Sequence, residues 1–196
     1  GLLMFNNGVS NGLGLSRDYF AIEILEGQVY LLLNLGSMPI KVKASHKRID
    51  DSNWHVITLF KVSQTGRVGV DHTSVDFVVP GSPSSLDLKG LFYLGGLGAL
   101  SNNQQFNDIP PDLWTSSLKY GFIGCVRDLV INNKMINLES YVQAQNLSEV
   151  RPACHSSALF CVKRPCLNNG ICNEGWNHYT CDCSVTSFMG SVCAQG

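Results

Sequence analysis

Residues 18–36 read DYFAIEILEGQVYLLLNLG, and the period of their hydrophobicity decides the fold. Phe20, Ile22 and Ile24 alternate with Tyr19, Ala21 and Glu23. A period of two belongs to a strand, whose successive side chains leave opposite faces. Glu26-Gly27 then offers a tight reversal into QVYLLLNLG, the signature of a hairpin. Outward from this pair, further strand-like runs follow: IKVKA (40–44), WHVITLFKV (54–62), RVGVDHT (67–73), SVDFVV (74–79), LFYLGG (91–96) and CVRDLVINN (125–133). Turn residues punctuate them at Gly36, Asp50-Asp51-Ser52-Asn53, Gly66, Pro80-Gly81-Ser82-Pro83 and Gly95-Gly96. Only PPDLWTSSL (110–118) is suited to a helical turn. Many short strands at regular spacing predict an all-β, antiparallel sandwich.

Composition narrows the function. The 196 residues are 44% hydrophobic and 15% charged, with a net charge of −1. Such a balance supplies no field toward nucleic acid or an anionic membrane. The longest apolar run, Val29–Leu33, has the length of a strand and not of a membrane helix. The chain opens at GLLMFNNG, without the basic start or cleavage pattern of a signal peptide, so a secreted setting would make it an internal piece of a longer protein.

All eight cysteines fall at or after position 125, at Cys125, Cys154, Cys161, Cys166, Cys172, Cys181, Cys183 and Cys193. The gaps between the last six are four, five, eight, one and nine residues. Structural zinc sites favour paired short knuckles and redox dithiols favour Cys-x-x-Cys, and neither pattern suits this cluster. A segment this short buries too little apolar surface to fold unaided, so the cysteines read as disulfide staples in an oxidising, extracellular compartment. Spacing alone leaves their pairing open.

The spacing Cys-x4-Cys-x5-Cys-x8-Cys-x-Cys-x9-Cys, with NNGIC (168–172), Tyr179 two before Cys181, and Gly190, resembles an EGF-like domain. The resemblance implies bridges Cys161–Cys172, Cys166–Cys181 and Cys183–Cys193. Some members of that family bind calcium through an acidic motif before the first cysteine, but here that position reads HSSALF (155–160). Glu174 stands where the family's hydroxylated Asp or Asn is expected, and Ile171 replaces the Ser or Thr of the O-fucose pattern. The module therefore reads as a plain spacer.

The N-terminal part, with GLLMFN (1–6), DYFAIEILEGQVYLLLNLG, DSNWHVITL (51–59), LFYLGG and GFIGCVRDLVINN (121–133), resembles a laminin G-like (LNS) domain. An LNS domain followed directly by an EGF-like domain looks like the neurexin family in particular. This implies a laminin G-like jelly roll over residues 1–155, N-terminally truncated because strands expected before GLLMFN are missing, and an EGF-like domain over 156–196. It also implies a fourth bridge, Cys125–Cys154, and hence no free thiol. In LNS domains a carboxylate and neighbouring backbone carbonyls hold one calcium ion at the sandwich rim. The matching positions are Asp18 for the carboxylate and Leu35 and Leu88 for carbonyls, while the family's side-chain Asn ligand falls near Gly90. Few protein ligands imply weak binding, of order 10⁻⁴–10⁻³ M, in the range of extracellular modules.

No catalytic constellation is visible. Gly-x-Ser-x-Gly and His-Glu-x-x-His are absent, and the glycine-rich stretches at Gly12 and Gly95 lack a phosphate-loop lysine. His55 reads as a half-exposed strand residue. The expected function is a non-catalytic cell-adhesion or recognition module on the extracellular side of a synaptic cell-surface protein. It would bind extracellular protein partners through rim loops, with no nucleic acid and no membrane contact of its own. The alternative is a heparan sulfate-binding matrix module of laminin or agrin type, resting on Lys41, Lys43, Lys47 and Arg48 in KVKASHKR (41–48). Asn146-Leu147-Ser148 is an acceptor for N-glycosylation.

Overall fold

In the computed structural model, residues 1–8, 18–82, 84–97, 121–145, 150–152, 154, 160–174 and 179–196 are described. They form two compact units, Gly1–Ile123 and Gly124–Gly196.

In the first unit, β1 (Leu2–Asn7) pairs antiparallel with β2 (Tyr19–Leu25), and β2 with β3 (Gln28–Asn34). The reversal between β2 and β3 is the expected two-residue turn, with Glu26 and Gly27 both at positive φ, 50° and 77°. A turn of that hand matches the twist of the strands it joins. β4 (Ile40–Lys43) adds to β3. The chain then builds a second sheet from β5 (Ile57–Val62), β6 (Thr65–Val70) and β7 (Thr73–Val78), and β8 (Tyr93–Leu94) returns to the free side of β1. The result is a five-stranded sheet of order β4-β3-β2-β1-β8 and a three-stranded sheet of order β5-β6-β7, both antiparallel.

The run Leu31–Leu33 has a physical reason. Leu31, Leu32 and Leu33 are all essentially buried although they alternate between faces, so both faces of β3 are covered. A strand covered on both sides reads as continuous apolar sequence. On one face Leu2, Phe5, Tyr19, Ala21 and Leu32 form a core, with Tyr30, Tyr93 and Leu97 packed against it. Glu23 belongs to the same face and is buried, as few carboxylates are unless paired. Lys41 pairs with it at 2.7 Å, and the ammonium groups of Lys41 and Lys43 lie 5.0 and 5.9 Å from the centre of the Tyr30 ring. In the three-stranded sheet, Val68, Val70 and Phe77 are buried on one face, while Phe60, Val62 and Val78 stand outward on the other.

The second unit has short elements. β9 (Val130–Ile131) and β10 (Lys134–Met135) form a hairpin through Asn132-Asn133, both left-handed. The strand expected over 125–133 is thus confined to two residues. Helix α1 (Leu138–Gln145) was not anticipated. Asn137 caps it, its Oδ1 accepting the Ser140 N–H at 3.1 Å, but the helix buries no residue. A short 3-10 turn (Cys161–Lys163) leads to β11 (Ile171–Glu174) and β12 (Tyr179–Asp182), an antiparallel pair in which Cys172 faces Cys181. The two compact units are divided at 123/124, a division of contacts that does not bear on the expected domain limit at 155/156. The PPDLWTSSL segment lies outside the described residues.

Candidate functional site

At one end of the five-stranded sheet the backbone packs tightly around Asp18. Asn7 pairs with Tyr19, and one step further the Gly8 N–H donates to the Asp18 carbonyl at 2.7 Å. The Gly90 N–H donates to the Asn7 carbonyl at 2.8 Å. The Asp18 carboxylate accepts the Asp87 N–H at 2.7 Å through Oδ2. Two glycines permit this approach. A Cβ at Gly8 would lie 2.7 Å from the Asp87 carbonyl oxygen, and one at Gly90 would lie 2.5 Å from that of Asn7. The Asn side chain that the family pattern would put near position 90 therefore has no room here.

Leu35 is one residue past Asn34, which pairs with Tyr19, so Asp18 and Leu35 meet at the same strand ends. The Asn34 Oδ1 accepts the N–H groups of Gly36 and Ser37 at 2.9 and 3.1 Å, fixing the turn that follows Leu35. Leu88 is adjacent to Asp87 and so reaches the same end through the Asp18–Asp87 bond. All three expected calcium ligands are thus neighbours. Sequence reasoning passed over Asp87 and Lys61. Asp87 pairs with Lys89 at 3.2 Å. Lys61 donates to the Ser84 carbonyl at 3.0 Å, and burial pushes its ammonium below its ordinary value against the opposing pull of Asp18.

The donor chemistry suits calcium: a carboxylate and carbonyls are hard oxygens. Among the described residues no group of three or more His, Cys, Asp or Glu could hold a metal ion. Of the two rim carboxylates, Asp87 is paired with Lys89, while Asp18 accepts an N–H and feels the opposing charge of Lys61. Such a set fits calcium as a weak, water-completed site.

The cysteine-rich module contains the bridges Cys161–Cys172, Cys166–Cys181 and Cys183–Cys193, with Cα separations of 5.7, 5.6 and 5.5 Å. The expected Cys125–Cys154 bridge is not formed. Both residues are thiols, and a hydrogen bond to Cys154, after burial, helps push the Cys125 thiol up to about 12. The expectation of no free thiol thus differs from this structure, where Cys125 and Cys154 are both free. Glu174, at the family's hydroxylation position, has a structural task instead, its Oε1 accepting the Cys161 N–H at 2.5 Å. Gly170 lets a bridge approach, since a Cβ there would lie 2.5 Å from Cys193 Sγ. Asn146 lies outside the described residues.

Three of the four basic residues behind the glycan reading are neutralised. Lys41 pairs with Glu23, Lys47 with Asp71 at 3.1 Å, and Arg48 with Asp50. His55 departs from its expected place. It precedes β5, and its side chain is only 6% exposed, held between Asp51 and Asp71.

Comparison with known proteins agrees with this architecture. The laminin G domain family matches residues 1–134, and the EGF-like domain family residues 161–186. The whole chain is 39% identical to Neurexin 1 of Drosophila melanogaster, covering 10% of that protein. It is likewise 39% identical to Neurexin-2 of Mus musculus, covering 12%. The chain thus spans about a tenth of the length of these curated relatives. Among solved structures, domains LG4-5 of the mouse laminin α1 chain share the fold at a TM-score of 0.55 and 20% identity, over 69% of this chain and 32% of that one. The LG1-3 region of the laminin α2 chain gives 0.56 and 25%, over 71% and 25%. The chain belongs to the laminin G domain family, with an EGF-like domain after it.

Proposed function

We propose that this chain is a non-catalytic adhesion module on the extracellular side of a cell-surface, synaptic protein, recognising protein partners through the rim around Asp18. What supports the reading is a laminin G and EGF-like domain order similar to that of neurexins, together with a strand end where Asp18 lies beside the Tyr19–Asn34 pair and accepts the Asp87 N–H. Calcium at that rim would be held by the Asp18 carboxylate and the carbonyls of Leu35 and Leu88, stiffening the loops a partner meets. His55 gives no support to catalysis, because both its ring nitrogens are taken by carboxylates and neither faces a nucleophile. The ion pairs on Lys41, Lys47 and Arg48 weigh against the heparan sulfate alternative.

Domain limits of 1–155 and 156–196, and a glycan on Asn146, belong to the same reading. Intact mass after secretion from animal cells tests the glycan, and a mass equal to the bare chain would remove it. Calorimetric titration of calcium into the chain and into Asp18→Ala tests the rim. Heat in the millimolar range with the first and none with the second is expected; no heat in either discards the site. Retention of the immobilised chain by neuronal membranes should then fall on adding chelator. Equal retention would separate partner recognition from the ion.

A further inference from the structure

His55 sits in the segment between β4 and β5. Its Nδ1 is 2.9 Å from Asp71 Oδ2, and its Nε2 is 2.8 Å from Asp51 Oδ1. An ionised carboxylate only accepts hydrogen bonds, and a neutral imidazole carries a single N–H. A neutral ring would therefore press one nitrogen lone pair against a carboxylate oxygen. Only the imidazolium, a donor at both nitrogens, satisfies both contacts, and such charge-assisted bonds are the stronger kind.

The rest of the cluster is arranged to keep the carboxylates ionised. Asp71 Oδ1 accepts the Val56 N–H at 3.0 Å, and its Oδ2 accepts Lys47 Nζ at 3.1 Å. Asp51 Oδ1 accepts the Asn53 N–H at 3.0 Å. The charged groups around the ring are thus Asp51 on its own segment, Asp71 from the β6–β7 turn, and Lys47 from the stretch after β4, acting through Asp71. The Arg48–Asp50 pair lies beside Asp51, with Glu26 acting on Arg48. Both Asp51 and Asp71 are held well below the usual carboxylate range, first by their hydrogen bonds from His55. Burial alone would lower the His55 value, but the bonds and charges of Asp51 and Asp71 outweigh it and raise it above 6.5.

We propose that His55 is a proton-operated clasp, an imidazolium that fastens the 51–56 segment to the β6–β7 turn and releases it when rising pH removes the proton. The two joined pieces are far apart in sequence and meet only in the fold. Asp71 occupies a two-residue turn at a positive φ of 54°, so its carboxylate position depends on what holds that tip. The clasp is independent of the calcium reading. It lies at the other end of β2 from Asp18, where the Ile49 N–H donates to the Gly27 carbonyl, and seven strand residues separate the two ends by about 20 Å.

Because the folded value is raised, the clasp is fully closed below the unfolded histidine value. It loosens as pH rises through the folded one. Between those two values opening should increase by up to about tenfold per pH unit, then level off. The test is nitrogen-detected NMR of the imidazole in the full chain, with amide exchange of Val56 measured in the same samples and corrected for its intrinsic pH dependence. The expected result is protonation of both nitrogens below the midpoint, a midpoint above 6.5, and Val56 opening that follows the same midpoint. Asp71→Asn should lower the midpoint, and His55→Gln should leave Val56 opening independent of pH. A midpoint at or below 6.5, a midpoint unmoved by Asp71→Asn, or Val56 exchange without the added pH dependence would each overturn the proposal. The wild-type titration decides it even where a variant does not fold.

Discussion

Leu31 in the first unit and Cys193 in the second are both 0% exposed, but what encloses them differs. In the first unit both faces of β3 are covered, and buried apolar side chains stand on β1, β2, β3, β6 and β7. In the second unit, Cys193 is the single buried hydrophobic residue among those described, and α1 buries none. The first unit is held by area removed from water, worth about 1.5–3 kcal/mol for each large apolar side chain fully buried. The second is held by cross-links that restrict its unfolded chain. Under stress the two should therefore fail separately, by different routes.

The largest expected effect is chemical. Reducing the three bridges removes about 2–4 kcal/mol each from a segment with little core to fall back on. Hydrogen exchange read by peptide mass should show residues 160–174 and 179–196 losing protection while 19–34 retain theirs. Protection kept in the cysteine-rich segment after reduction would break the comparison. Next comes Leu31→Ala, which should cost the first unit about 2–5 kcal/mol through lost transfer and a cavity. Protection of the β11–β12 hairpin should not change with it, and a parallel loss there would show that the units unfold together.

The smallest effect concerns the rim. At about 2 mM calcium, a site in the proposed affinity range stabilises the first unit by about 0.6–1.8 kcal/mol. Lys61→Met removes the cation that competes for Asp18, so calcium affinity should rise by about fivefold, near 1 kcal/mol. Calorimetry that found the same or weaker affinity would show that Lys61 does not oppose the ion.

Legibility in the sequence tracked the distance over which a residue's role is decided. The β2–β3 hairpin was readable because alternation, turn and partner strand all lie within residues 18–36. The adjacency of Asp18 and Leu35 follows from the same register. The role of Gly90 was not readable, because it depends on the Asn7 carbonyl in a strand more than eighty positions away. His55 looked like a strand residue because Trp54–Val62 is continuous in β propensity. Its place is set by Asp71, brought within reach only when β5, β6 and β7 pair. Helix α1 escaped because its one strong local signal is the Asn137 cap and no apolar stripe follows it.

The outward face of the three-stranded sheet bears on how this chain behaves in concentrated solution. Phe60, Arg67 and Asp76 form one cross-strand row, and Arg67 Nε donates to Asp76 Oδ1 at 2.6 Å. Val62, Thr65 and Val78 form the parallel row at the strand ends. Stacking this face on another copy would bury an ion pair along with the apolar side chains, and desolvating two charges opposes what the apolar contact gains. Arg67 and Asp76 thus act as gatekeepers, keeping an open, β-rich apolar surface from seeding aggregates. Both side chains are exposed, so they oppose stacking of this face without adding to the core.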